Sequence, residues 1–306
     1  MPNKYERIIE YIENEIEQGN LKPGGKIPSI RNITKRFDCS KSTVVKAYSE
    51  LEKNHIIYSV PKSGYFVIKR TKDNEINKKK IIDLSSAAPD TELLPYLEFQ
   101  HCLNEAIELY KEDLFSYSDP QGLLSLRKVL VKHLQNYQVF TNVDDIFITS
   151  GAQQALDILT KIPFPNGKTN VLVEQPTYHG ILKSLQLNNV TTIGLERRFN
   201  GIDFNELERI FRTGNIKFFY TIPRFHNPTG ASYSIEDKKQ ILTLAEKYNV
   251  YIVEDDYLAD LELDSKVDPI FSFDLSSYVI YVKSFSKVLL PGLRLSTLVL
   301  PKRLKN

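Results

Sequence analysis

Twelve consecutive residues, Lys69–Lys80 (KRTKDNEINKKK), hold one apolar side chain among mixed charges. A stretch with nothing to bury cannot cross the core of a single compact body, so the chain must fold as two parts on either side of it. This places a first domain at 1–69, a flexible linker at 70–80 and a second domain at 81–306. No apolar run approaches the roughly 20 residues needed to span a bilayer. The N-terminus, MPNKYERIIEYIENEIEQ, is amphipathic and acidic and lacks the apolar centre of a secretion signal. Cys39 and Cys102 are too few and too badly spaced for a zinc site or a disulfide framework, so no metal is expected and a cytoplasmic location is the simplest. Net charge is +2, but residues 1–70 carry 13 Lys/Arg against 8 Asp/Glu, which leaves the remainder at −3. That asymmetry hints at a polyanionic partner for the first domain.

In the first domain, Ile8, Ile9, Ile12 and Ile16 recur at three- and four-residue steps and predict a helix over Tyr5–Gln18. A second helix is expected from Ser29, a good N-cap, with Ile30, Ile33 and Phe37 on one face. After a short break at Asp38-Cys39-Ser40, a third runs from Lys41 to about Lys53 with Val44, Tyr48 and Leu51 inward. Two β-rich runs, 56–60 and 65–68, flank the turn Pro61-Lys62-Ser63-Gly64 and form a hairpin. Helix, helix-turn-helix and hairpin make a winged helix. Its third helix presents Lys41, Ser42, Thr43 and Lys46 from its N-terminal half, where bases and phosphates are met, while Arg31 and Lys62 are placed to hold the backbone. Each of these cations taken singly is as readily a solvated charge.

The second domain alternates short apolar strands with helical stretches, which predicts an α/β fold with a mostly parallel sheet and a ligand at the carboxyl ends of its strands. Every polar residue of interest follows a strand. Ser150-Gly151-Ala152-Gln153 opens a helix whose free N–H groups suit a phosphate, though a glycine there can be only a turn. Tyr178 lies in Glu174-Gln175-Pro176-Thr177-Tyr178, which follows the strand Val171-Leu172-Val173, and Asn227 sits in the tetrapeptide Asn-Pro-Thr-Gly. Asp255 ends Ile252-Val253-Glu254, with Tyr257 close behind. Within YVKSFSKVLLPGLRLSTLVLP, Lys287 lies between two apolar β runs and Arg294 follows seven residues later. A lysine so placed is costly unless paired, titrated or covalently used, and a Lys–Arg pair suits an aldehyde cofactor that carries a phosphate. The plainer alternative is a surface lysine in a strand–loop–strand connection.

Taken together, these pieces resemble the fold type I pyridoxal 5′-phosphate (PLP) enzymes of the aspartate aminotransferase superfamily. The run LKPGGKIPSIRNITKRFDCSKSTVVKAYSELEKNHIIYSVPKSGYFV resembles the GntR-type DNA-binding domain, through its P-G-x-K-[IL]-P-S-x-R opening with Ser29 and Arg31, its S-x-x-T-V recognition helix, and its closing S-G-x-F-V with Gly64. The two joined by a linker resemble the MocR subfamily of regulators, as do DPQGLLSLR, SGAQQAL, IVEDDY and SFSKVLLPGLRLS. The resemblance implies roles for named residues. The backbone at Gly151, Ala152 and Gln153, with Ser150, Ser284, Ser286 and Arg294, takes the phosphate. Tyr178 stacks on the ring, and Asn227 and Tyr257 hold its phenolic oxygen. Asp255 takes the ring nitrogen and Lys287 forms the Schiff base. Tyr117 reaches the phosphate of a neighbouring subunit, which implies a homodimer.

Leu258-Ala259-Asp260-Leu261 departs from the Asp-Ser-Glu-Phe of comparable members, and Ser296 stands where many have glycine. Members also continue past the equivalent of Asn306 with a small domain that carries an arginine for the substrate carboxylate. No residue here takes that role, so a C-terminal truncation is expected. The function expected is a regulator that binds a double-stranded DNA operator and senses PLP or an amino-acid adduct of it. The alternatives are an aminotransferase that carries a DNA-binding domain, and a cofactor-free DNA-binding remnant.

Overall fold

The computed structural model describes residues 3–54, 56–60, 63–68, 95–262 and 268–304. Two compact units divide the chain, Met1–Tyr117 and Ser118–Asn306. The expected linker at 70–80, the start of the second domain at 81 and the wing residue Lys62 lie outside the described residues.

In the first unit the isoleucine stripe forms α1 (Lys4–Glu17), and α2 (Ile30–Phe37) and α3 (Lys41–Lys53) follow as the helix-turn-helix. Ser29 and Ser40 cap α2 and α3, each side chain accepting a backbone N–H from the first turn of its helix. Asp38 takes the left-handed conformation that ends α2 and turns the chain toward α3. Ile8, Ile12, Ile33, Val44, Ala47, Tyr48 and Leu51 close one apolar core with Ile57 and Val67 of the hairpin β1 (Ile57–Val60) and β2 (Gly64–Val67). The Tyr48 hydroxyl donates to the carbonyl of Pro28 at 2.6 Å and ties the recognition helix to the entry of α2. Helix α4 (Tyr96–Tyr110) completes this unit.

The second unit runs α5 (Leu124–Gln135), β3 (Ile146–Ser150), α6 (Ala152–Lys161), β4 (Asn170–Gln175), α7 (His179–Leu187), β5 (Thr192–Glu196), α8 (Phe204–Thr213), β6 (Ile216–Thr221), α9 (Ile235–Lys247), β7 (Tyr251–Asp255), β8 (Val279–Ser284) and β9 (Leu295–Val299). Among the described residues these strands form a seven-stranded sheet, ordered β3-β9-β8-β7-β6-β4-β5. Pairings among β4 to β8 are parallel, and β9 runs antiparallel to both β3 and β8. Residues of β6, β7 and β8 are buried along their whole length, as expected of strands covered on both faces. This topology brings the carboxyl ends of β3, β4, β6, β7 and β8 to one edge of the sheet. The antiparallel β9 starts at that same edge, with Leu295 opposite Ser150 and Ser296 opposite Ser284.

Candidate functional site

At the end of β7 three consecutive carboxylates, Glu254, Asp255 and Asp256, are all buried. Burying charge is expensive unless each is compensated, and their partners differ. Glu254 accepts the backbone N–H groups of Ile270 and Phe271, both at 2.9 Å. Asp256 is gripped by the Arg224 guanidinium and also accepts the hydroxyl of Tyr281. Asp255 accepts the Tyr220 hydroxyl on Oδ2 at 2.8 Å, while its Oδ1 is buried without a hydrogen-bond partner. Burial, with the neighbouring charge of Asp256 adding to it against the Tyr220 hydrogen bond, raises the Asp255 carboxyl to about 7. An acceptor so placed lacks one donor.

Several of the other expected residues lie at or just beyond the same edge of the sheet. The hydroxyl of Tyr178, at the mouth of α7, is pushed up by burial and by the charge of Asp255, and drawn down by Arg294. Gly180 lets that ring fold back on the helix start, because an added Cβ would come within 2.4 Å of the Tyr178 ring and 2.2 Å of Gln153 Oε1. The Gln153 side-chain amide donates to the carbonyl of Gly180 and to Ser184 Oγ, which ties the start of α6 to α7. Gly151 has φ +76°, and an added Cβ would lie 2.2 Å from the Arg294 guanidinium, so arginine and glycine backbone are packed face to face. Arg294 itself sits in the left-handed region, the backbone turn that aims it back across β3. Ser284 and Ser286 share a hydroxyl contact of 2.9 Å at the exit of β8. The result is a cup of helix N-terminus, hydroxyls and guanidinium suited to a phosphate.

Burial lowers the Lys287 amine from its ordinary value, which favours the neutral form that attacks a carbonyl. Tyr257 donates to the carbonyl of Phe225 at 3.0 Å, so it braces the loop that carries the half-buried Asn227. Tyr117 is fully exposed at the end of the first unit. The turn after it is clasped by buried Arg127, which binds Asp119, Gln121 and the carbonyls of Gly122 and Val143.

In the winged helix, Arg31, Lys41 and Ser42 are exposed and Thr43 is half-buried. The Ser40 hydroxyl contacts those of Ser42 and Thr43 at 2.7 and 2.8 Å, so both serve the helix cap as well as the outer face. Lys46 is exposed as well, and its ammonium lies 4.3 Å from the centre of the Tyr5 ring, a cation–π contact between α3 and α1. Gly64 has φ +108°, a backbone that L side chains avoid, and it starts the second hairpin strand.

Sequence reasoning passed over Tyr220, Arg224, Glu174 and Lys283. Each puts a polar tip inside an apolar strand or beside one, and that pattern was the available signal. Among the described residues no cluster of His, Cys, Asp and Glu could hold a metal, and no helix is long and apolar enough to cross a membrane.

Comparison with known proteins agrees with both halves. A model of bacterial regulatory proteins of the gntR family matches residues 4–67, and one of aminotransferase class I and II matches residues 79–306. The HTH-type transcriptional regulator YcxD of Bacillus subtilis is 50% identical over 303 residues, covering 99% of this chain and 68% of its own length. The chain belongs to the MocR-like family, a GntR helix-turn-helix domain fused to a class I and II aminotransferase domain. The HTH-type transcriptional regulator NorG of Staphylococcus aureus is 25% identical over 91% of this chain and 69% of its own length. Among solved structures, Pyrococcus horikoshii kynurenine aminotransferase, in complex with PMP, aligns with a TM-score of 0.64 and 30% identity over 71% of this chain. Thermus thermophilus LysN, an α-aminoadipate aminotransferase complexed with N-(5′-phosphopyridoxyl)-L-leucine, aligns with a TM-score of 0.64 and 28% identity over 70% of this chain. The chain spans 55% of the length of each of these two aminotransferases.

Proposed function

We propose that this chain is a DNA-binding transcriptional regulator whose aminotransferase-like domain, 81–306, binds PLP and reports it, or an amino-acid adduct of it, to a winged helix at 1–69. The observation that carries the cofactor reading is the unpartnered, buried Oδ1 of Asp255 at the end of β7. A buried acceptor without a donor is costly, and it persists where a ligand completes it.

The residues fit the group. Asp255 would hold the ring nitrogen protonated, and Tyr178 would cover one ring face. Asn227, with the loop braced by Tyr257, would meet the phenolic oxygen. The N–H groups of Gly151, Ala152 and Gln153, with Ser150, Ser284, Ser286 and Arg294, would take the phosphate. Lys287, its amine drawn below its ordinary value by burial, would bond to the aldehyde. When bound, the cofactor supplies an electrophilic carbon and an electron-withdrawing ring that amino acids can exchange onto.

On the DNA side, Lys41, Ser42 and Thr43 at the start of α3 face a major groove, Arg31 and Lys62 hold the phosphate backbone, and Ser29 and Gly64 shape the turns that present them. Two winged helices from a homodimer, to which Tyr117 contributes across the subunit boundary, would meet two half-sites of one operator in the cytoplasm. An effector that prefers one arrangement of those two helices shifts the population toward it.

The test is fluorescence anisotropy with duplex DNA from the promoter of the chain's own gene, with and without PLP. Tight binding that PLP or an added amino acid shifts supports the reading. DNA affinity that neither changes, in a chain that binds PLP, refutes the sensing half.

A further inference from the structure

One fully buried carboxylate near the site has no role in binding the cofactor. Glu174, at the end of β4, has a side chain with no solvent exposure. Its Oε1 accepts the hydroxyl of Tyr233 at 2.7 Å and that of Thr221 at 3.0 Å. Its Oε2 accepts the backbone N–H of Ile222 at 3.0 Å and lies 3.1 Å from His226 Nε2, off the hydrogen-bond axis. The buried Arg197 guanidinium lies flat on the Tyr233 ring, 3.4 Å from its centre, with Nε 3.8 Å from Glu174 Oε1. That cation offsets the cost of burying the carboxylate without competing for its lone pairs.

The four groups that meet this carboxylate share a property. Thr221 and Ile222 begin the loop after β6, His226 is the residue before Asn227, and Tyr233 is where the loop returns toward α9. The loop is further closed by His226 Nδ1 on Thr229 Oγ1 at 2.9 Å and by Tyr233 N–H on the carbonyl of Pro223 at 2.8 Å. One carboxylate therefore hydrogen-bonds the loop at its entry and exit, with the His226 ring packed against it in between. The same residue lies four positions before Tyr178 in the chain. We propose that Glu174 is a positioning residue that holds Asn227 and Tyr178 in mutual register, so that the phenolic-oxygen contact and the ring stack are made together. This deepens, and rests on, the PLP reading.

The experiment is a double-mutant cycle on the full chain, with PLP affinity read from the absorbance of the bound cofactor. Glu174→Gln keeps the volume but offers one acceptor oxygen where two served the whole loop. It is expected to weaken PLP binding about tenfold, the size of effect seen when the partner of a ligand-holding group is lost. Tyr233→Phe removes a single donor, preserves the shape and is expected to cost a few-fold. In an Asn227→Ala background both losses should shrink to less than about two-fold, because the contact they protect is already gone. Equal losses in both backgrounds, or no loss in either, would overturn the positioning role. Should Glu174→Gln fail to fold, the Tyr233→Phe arm of the cycle decides alone. A wild-type chain that does not bind PLP would overturn the cofactor reading itself, and this one with it, before any variant is made.

Discussion

Replacing Asp255 by Asn should stabilise the cofactor-free protein at alkaline pH while weakening its hold on PLP. Burial raises the Asp255 carboxyl from its ordinary 3.8 to about 7. Below 3.8 the folded and unfolded chains both carry the proton, and the group contributes nothing. Between 3.8 and about 7 the folded chain keeps a proton that the unfolded chain has lost, so stability falls as pH rises. Above about 7 the full cost is present. At about 1.4 kcal/mol per pH unit across that window, the ionised carboxylate costs on the order of 4 kcal/mol. The substituted amide would avoid that cost but leave an N–H where Oδ1 is now unpartnered, a penalty of about 2 kcal/mol. The net expectation is a gain of about 2 kcal/mol at about pH 8, and a loss of similar size at about pH 4, where only the amide penalty remains. Urea unfolding of cofactor-free Asp255→Asn and wild type at both values measures it. PLP should meanwhile bind the variant at least about tenfold more weakly, since an amide cannot balance a ring cation. A variant equally destabilised at both pH values would refute the account of a carboxylate held at a cost for a cation to come.

The same geometry sets three further expectations. Gly151→Ala should cost about 1–2 kcal/mol of stability from its positive φ and displace the Arg294 guanidinium, and PLP titration should show at least about a tenfold loss of affinity. Lys283, fully buried and 2.7 Å from Asp260, should lose about 3 kcal/mol or more on change to Met, and Asp260→Asn in the same chain should recover part of it in denaturant unfolding. In DNA titrations across salt concentrations, Lys41→Ala and Arg31→Ala should each reduce the salt slope by about 1, whereas Lys46→Ala should show its effect mainly in thermal unfolding.

Much of this was legible in the chain. The isoleucine stripe of α1, the serine caps of α2 and α3, and the apolar runs of β6 to β8 encode their elements locally, and their positions follow directly. Element ends shifted by a residue, as for α1, which spans Lys4–Glu17 where Tyr5–Gln18 was expected. Most candidate site residues could be gathered in advance because they follow strands whose carboxyl ends share one edge of the sheet, so a linear pattern maps onto that edge. What was not legible is long-range pairing. Nothing local says that Tyr220 meets Asp255, that Arg224 meets Asp256, or that Glu174 gathers donors 47 to 59 positions away. Lys46 illustrates the reverse case, since its spacing put it on the outer face but gave no hint that Tyr5 lies beneath it.

The central claim is that Lys287, Asp255 and the Gly151–Arg294 cup form one PLP site. Its most direct test is the visible absorbance of the purified chain with added PLP, followed by borohydride reduction and mass analysis, beside a Lys287→Ala control. The expected result is an absorbance band in the wild type, a reduced adduct on the peptide that contains Lys287, and neither in the control. No band in the wild type, or an adduct spread over surface lysines and unchanged in the control, would contradict it.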